Sequence, residues 1–322
     1  MIIKVVQWQI RIYVLVTIFT LSNVVLAAQK KIKISPYTIG STYEKLKTAY
    51  PFIIPIEELN SEKIISNENV VYKIVDETSL KADVYRPKGN KDAVYPAVLL
   101  IHGGGWVSGS KENERVMAQQ LAANGYVAIT IAYRLSREAA YPAAVLDVKS
   151  AIRWMRIHAQ EYRIDPDKIT VLGASAGAQL ATLVGVTPDH KIYTAQKQKV
   201  SDKVQAIVNI DGIVSFIHPD AKESQIAGLW LGGLQHENPK NWKEASPLEY
   251  VNMKTPPTLF INSAQERFHA GRDDMIAVLN QYHIYNEVHS LSESPHSFWL
   301  MHPWFNKTLE YIISFLDTVF KE

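Results

Sequence analysis

The 322-residue chain contains no cysteine. That single absence excludes disulfide scaffolds, thiolate zinc sites, iron–sulfur clusters and cysteine nucleophiles together. Charge of one sign is also lacking: 34 basic side chains face 32 acidic ones, which leaves no electrostatic footprint for nucleic acid. Neither G-x-x-x-x-G-K-[ST] nor G-x-G-x-x-G occurs, so the glycine-rich segments are not read as phosphate loops. No apolar run is long enough to span a membrane comfortably; the stretch Ile12 to Leu26 is interrupted by Thr17, Thr20, Ser22 and Asn23. What remains is a globular composition, 47% hydrophobic and 20% charged. The length suits one large α/β domain.

Lys4 and Arg11 precede the Ile12–Leu26 stretch, and Val25-Leu26-Ala27 places small or medium residues before a cleavage point. A positive segment, a short apolar segment and a small-residue site form a secretory signal pattern, here residues 1–27. The expectation is cleavage after Ala27, export to the periplasm or medium, and no stable membrane anchor afterwards. An uncleaved anchor is the rival reading. Lys4 and Arg11 also account for the net charge of +2, because residues 1–27 carry no Asp or Glu.

Residues 28–69 are polar and mixed, broken by Pro36, Pro51 and Pro55; they read as an N-terminal extension wrapping the domain without chemistry of its own. The catalytic domain is expected over 70–322. Val70 to Val75 and Leu80 to Tyr85 resemble two antiparallel strands, and Pro96 to Ile101 is a continuous apolar run suited to a strand buried on both faces. From there strands (Tyr126–Ala132, Ile169–Leu172, Val204–Ile210, Thr258–Ile261, Ile284–Leu291) alternate with helices (Glu112–Asn124, Asp147–Tyr162, Ala176–Val186, Asp273–Tyr282, Asn306–Phe320). Such alternation predicts an α/β fold with a mostly parallel central sheet flanked by helices. About 212–256 reads as a small insertion over the strand C-terminal ends, where a substrate pocket is commonly shaped.

Two motifs carry chemistry. Gly173-Ala174-Ser175-Ala176-Gly177 falls between a strand and a helix, a turn that holds a serine hydroxyl at the tip of a sheet. His102-Gly103-Gly104-Gly105-Trp106 follows a strand directly, and its consecutive glycines free backbone N–H groups for an oxyanion. Gly103, Gly104 and Ala176 are the expected donors. A base must follow the nucleophile, and His296, in the loop before the final helix, is the candidate by position; His289 lies within a strand and His302 too far on. The acid is sought beyond Thr258–Ile261. Glu266 is favoured, Asp273 is the alternative because it begins a helix and can serve as a cap, and Asp211 and Asp147 are read as structural. Arg267 and Arg272 lie close enough in sequence to hold either carboxylate ionised.

With these segments in order, the sequence resembles the α/β-hydrolase superfamily over about Val70 to Phe320. It looks most like hormone-sensitive-lipase-like bacterial esterases, including acetyl and feruloyl esterases that act on polysaccharides. Tyr141-Pro142-Ala143-Ala144 and Asp147 to Trp154 are similar to the helix preceding the nucleophile in that group. The resemblance implies Ser175 as nucleophile, His296 as base, the three amides as oxyanion hole, and no cofactor or metal. It departs at the acid, where a Gly-x-x-Asp turn is replaced by Ser263-Ala264-Gln265-Glu266. Trp106, Trp230 and Trp299 flank the motifs; each alone reads as ordinary core material, while aromatic rings clustered around the catalytic loops also offer faces for a sugar. The resulting expectation is a secreted serine esterase acting on acyl esters, acetyl or feruloyl, of a small-molecule or polysaccharide substrate. An exopeptidase on the same fold and a hydrolase-like binding protein without turnover are the alternatives.

Overall fold

The computed structural model describes residues 34–90, 92–194, 198–222 and 225–320; the leader expected at 1–27 lies outside them. The chain divides into two units, Met1–Ser35 and Pro36–Glu322, and the fold is that of the second. Its first elements are a helix α1 (Ile39–Leu46), capped by Thr38, and a short strand β1 (Ile54–Pro55). The hairpin β2 (Ile64–Val75) and β3 (Thr78–Pro87) follows. β2 starts six residues earlier than the expected boundary at Val70, because the polar run Ser66 to Asn69 is an exposed edge that alternation of apolar residues does not reveal. A register shift between Asn67 and Val70 marks that irregular edge.

β4 (Tyr95–Ile101), α2 (Arg115–Ala123), β5 (Val127–Ile131), α3 (Ala143–Ile157), the single turn α4 (Ala159–Tyr162), β6 (Ile164–Ala174), α5 (Ala176–Val186) and β7 (Ala206–Ile210) build the centre. The insertion contributes α6 (Gln225–Leu231) and α7 (Pro239–Glu244). β8 (Thr258–Asn262), α8 (Arg272–Gln281), β9 (Asn286–Ser290), a two-residue strand β10 (Met301–His302) and α9 (Trp304–Phe320) complete the order. Eight strands form one sheet in the order β2-β3-β5-β4-β6-β7-β8-β9. β2 and β3 are antiparallel, β3 pairs antiparallel with β5, and the neighbours from β5 to β9 are parallel.

The core lies on both faces. Along β4, Ala97, Leu99 and Ile101 join one buried cluster while Val98 and Leu100 join the other, the period-two alternation a strand imposes. α5 is apolar apart from Gln179 and Thr182, and every residue in it is buried, as befits a helix packed on all sides. α9 closes the second face with Phe305, Ile312, Phe315, Leu316 and Phe320. From Pro36 onward the N-terminal extension is part of this body: β1 pairs antiparallel with β10, Ile54 opposite His302. Among the described residues no helix is long and apolar enough to cross a membrane.

Candidate active site

Ser175 sits between the end of β6 and the start of α5, at φ 54° and ψ −120°. Left-handed backbone is uncommon for a residue with a side chain, and here the surrounding packing imposes it. A Cβ on Gly177 would come within 2.0 Å of the Ile101 carbonyl oxygen, so only glycine lets β4 pass that close to the turn. The serine hydroxyl is thereby presented at the C-terminal ends of β4 and β6.

His296 reaches it from the loop between β9 and β10. Its Nε2 lies 2.9 Å from Ser175 Oγ, and its Nδ1 lies 2.7 Å from Asp211 Oδ2. With a carboxylate on Nδ1, that nitrogen carries the proton and Nε2 accepts from the serine hydroxyl. The imidazole is held on two further sides. Phe268 stacks on its face with ring centroids 3.5 Å apart and planes 11° apart, and Trp299 meets it edge-on at 5.2 Å.

The carboxylate is therefore Asp211, which sequence reasoning placed among structural residues, and neither Glu266 nor Asp273 takes that position. Glu266 is exposed in a short 3-10 turn. Asp273 is exposed in the first turn of α8 and paired with Arg272 at 2.8 Å. Both follow β8, whereas Asp211 follows β7, the strand hydrogen-bonded directly to the nucleophile strand. Asp211 is buried and has φ 53°. Gly212 makes the turn possible, since a Cβ there would lie 2.4 Å from Ala178 Cβ and 2.6 Å from the Ser175 carbonyl oxygen. Buried Asn209 braces it, its Oδ1 accepting from Gly212 N–H at 2.9 Å. Burial alone would raise the Asp211 pKa, but His269, His296 and the Ser263 N–H together hold it below the ordinary carboxylate range. The available sequence signal was Asp211-Gly212 after an apolar strand adjoining the nucleophile strand. Asp147 is structural as expected, buried between Arg134 and Lys73 at 2.8 and 2.6 Å.

The glycine loop lies against the nucleophile: a Cβ on Gly103 would be 3.1 Å from Ser175 Cβ. No loop or turn hydrogen bond among the described residues uses the amides of Gly103, Gly104 or Ala176, and Ala176 is the first residue of α5, where N–H groups lack intrahelical partners. His102 fixes the loop from below. It is buried, stacked on Tyr133 at 4.4 Å, and bonded through Nδ1 to the Gly103 carbonyl at 2.7 Å. Burial lowers its pKa to about 4, so it is neutral at pH 7. Tyr37, in the extension read as free of chemistry, also touches this loop. Its ring edge is 3.4 Å from a Cβ built on Gly103, and its hydroxyl donates to Ser297 Oγ at 3.4 Å.

The three tryptophans are not a sugar platform. Trp106, Trp230 and Trp299 are 3%, 0% and 1% exposed. Trp106 stacks on Trp230 with planes 7° apart, and its Nε1 donates to Gln179 Oε1 at 3.0 Å. Trp106 and Trp230 tie the insertion to the glycine loop as core material, while Trp299 packs against His296 and Phe298 in the other cluster. Proximity in sequence to the motifs could not distinguish a ring facing solvent from one facing the core.

A mostly parallel sheet with an antiparallel hairpin at one edge, a serine on a strained strand–helix turn and a histidine returning after the last large-sheet strand define an α/β-hydrolase. The chain belongs to the BD-FAE family, whose model matches residues 82–276. It is 28% identical over 243 residues to esterase LipC of Mycobacterium tuberculosis, covering 73% of this chain and 58% of LipC. It is 25% identical over 257 residues to versiconal hemiacetal acetate esterase of Dothistroma septosporum, covering 73% of this chain and 76% of that protein. The propionate-bound esterase Est2 of Thermogutta terrifontis superimposes with a TM-score of 0.67 at 26% identity, over 79% of this chain and 94% of that one. The chain spans about half the length of several curated relatives it matches, 58%, 48% and 42% for LipC, LipM and LipQ.

Proposed function

We propose that the protein is a serine esterase that removes an acyl group from an oxygen ester through an acyl-enzyme. The observation that carries this reading is the continuous chain Ser175–His296–Asp211, with bonds of 2.9 and 2.7 Å, beside the amides of Gly103, Gly104 and Ala176, which no loop or turn hydrogen bond among the described residues uses. Ser175 Oγ attacks the ester carbonyl while His296 Nε2 takes its proton. The carbonyl oxygen becomes an oxyanion facing the amides of Gly103, Gly104 and Ala176. His296 then protonates the departing alkoxide, releasing the alcohol and leaving Ser175 acylated. Water, deprotonated by His296, attacks the acyl carbonyl and frees the carboxylic acid and Ser175.

Names among the relatives support a short acyl group: an acetate esterase and a propionate-bound esterase are both similar to this chain. As substrate we infer an acyl ester of a carbohydrate, acetyl (the short group those names favour) or feruloyl, and as setting export. The first rests on the resemblance of the His102–Trp106, Gly173–Gly177 and Pro295-His296 segments to polysaccharide esterases. The second rests on the leader pattern of residues 1–27. Buried Trp106, Trp230 and Trp299 add nothing to either.

Hydrolysis of p-nitrophenyl acetate by the protein and by Ser175→Ala tests the reaction: wild-type turnover and its loss in the variant are expected, and equal rates would overturn the reading. A panel of acetylated, feruloylated and methyl-esterified polysaccharides, scored for released acid or methanol, tests the substrate. Release of methanol alone would replace the acyl-carbohydrate assignment.

A further inference from the structure

Asp211 has two carboxylate oxygens, and only Oδ2 faces His296. Oδ1 accepts the Ser263 N–H at 2.9 Å, and on the same oxygen lies a second histidine, His269, with Nε2 at 3.6 Å. That separation is longer than a hydrogen bond but within reach of an ion pair. Nε2 of His269 is buried and has no other partner in the described structure, although a buried ring N–H ordinarily finds one. The side chain is 14% exposed and its backbone is pinned on both sides: its N–H donates to Glu266 O at 2.8 Å, and its carbonyl accepts from Arg272 N–H at 2.9 Å. The next residue ties the loop to the acid's own segment, Val214 N–H donating to Ala270 O at 3.0 Å. His269 is thus aimed at Asp211 by fixed backbone.

We propose that His269 is a positioning residue for this site, orienting Asp211 by directing its Nε2–H at Oδ1 so that Oδ2 remains on His296 Nδ1. This rests on the esterase reading, with Asp211 as the acid. The charged and titratable groups around His269 include Asp211, Asp273, whose carboxyl is held below its ordinary range chiefly by its hydrogen bond with Arg272, Arg272 itself, and His296 on the far oxygen. A donor on Oδ1 draws charge away from Oδ2. Removing it leaves one buried carboxylate oxygen with a single partner and strengthens the hold of Asp211 on protonated His296.

The test uses the full chain, with His269→Leu to delete the donor and His269→Gln to replace Nε2–H by an amide N–H at the same reach. In kcat/KM for p-nitrophenyl acetate across pH, the Leu variant is expected to lose about tenfold and to move its acidic limb upward by about one pH unit. The Gln variant should recover to within about threefold with the limb in place. A structural role alone would lower activity without moving the limb. Nitrogen-detected NMR of the histidine rings gives a second readout that does not need turnover or a folded Leu variant. In the wild type, His269 should be the Nε2–H tautomer, and that resonance should shift in Asp211→Asn. A wild-type limb in the Leu variant, or a His269 ring whose Nε2 signal ignores Asp211→Asn, would overturn the proposal. Absence of ester turnover in the wild type would instead overturn the esterase reading, while the NMR result would still decide whether His269 is coupled to Asp211.

Discussion

At the scale of single residues, three carboxylates compete for one role, and geometry separates them. Asp211→Asn should leave the fold intact while reducing kcat for p-nitrophenyl acetate by about 10⁴-fold, since the amide favours the wrong tautomer of His296. Glu266→Gln and Asp273→Asn should remain within about twofold of wild type, because both side chains are exposed and neither meets His296. Parallel kinetics on the three variants check this; a large loss in either of the latter two would displace Asp211. The nucleophile and base were legible in the sequence because each is announced locally: Ser175 by glycines two residues either side, His296 by its place before the last helix. Asp211 was not, because its role depends on which strand lies beside β6, a pairing between residues far apart in the chain. Distance along the sequence favoured the loop after β8, which lies one strand further out.

Elements show the same division. The long apolar strands and the helix stops, such as Gly125 after α2, were readable because they follow from periodicity and end signals. The N-terminal extension was readable only as a segment, since its pairing of β1 with β10 and the contact of Tyr37 with the glycine loop are long-range. The Asp211-Gly212 turn is the element on which the site depends most. Gly212→Ala pushes a methyl group into Ala178 and the Ser175 carbonyl and should cost about 1–3 kcal/mol of stability by overpacking. Activity should fall at least tenfold in the fraction that stays folded, read from chemical denaturation beside kinetics. The insertion is anchored through Trp230, and Trp230→Ala should destabilise by about 3–5 kcal/mol as a core truncation. If that tryptophan is core, kcat/KM should fall alike for p-nitrophenyl acetate and for an acetylated polysaccharide; a loss confined to the polysaccharide would make it a sugar contact.

For the molecule as a whole, two buried titratable groups, Glu114 and His102, shape the dependence of stability on pH. Glu114 is 1% exposed with Oε1 unpartnered, and burial raises its pKa to about 8 from 4.5. His102 is lowered to about 4 from 6.5. The folded state keeps a proton on Glu114 that the unfolded state releases above pH 4.5, so this group reduces stability progressively as pH rises from 4.5 to 8. His102 acts the other way: the unfolded state binds a proton below pH 6.5 that the folded state refuses until about pH 4, so its penalty grows as pH falls through that window. The two slopes oppose one another between 4.5 and 6.5, and above 6.5 Glu114 acts alone. At about 1.4 kcal/mol per pH unit, it costs about 2 kcal/mol between pH 6.5 and 8. Glu114→Gln keeps the shape without the proton, so its gain in Tm over wild type should increase from pH 5 to pH 8. A gain that does not vary with pH would mean Glu114 is ionised in the fold.

The β6–β7 pairing has one more consequence. Ala174 is in register with Ile210, and the Ser175 N–H donates to the Ile210 carbonyl at 2.8 Å, so nucleophile and acid are each the next residue past one matched pair. Their separation is inherited from the spacing of adjacent strands, which is the same in every sheet. The sheet therefore serves as a ruler for the chemistry, one that thermal motion of the surrounding loops does not stretch. Only His296, arriving on a loop, has to be brought to the mark, and the stacked Phe268 ring and the edge of Trp299 are what hold it there.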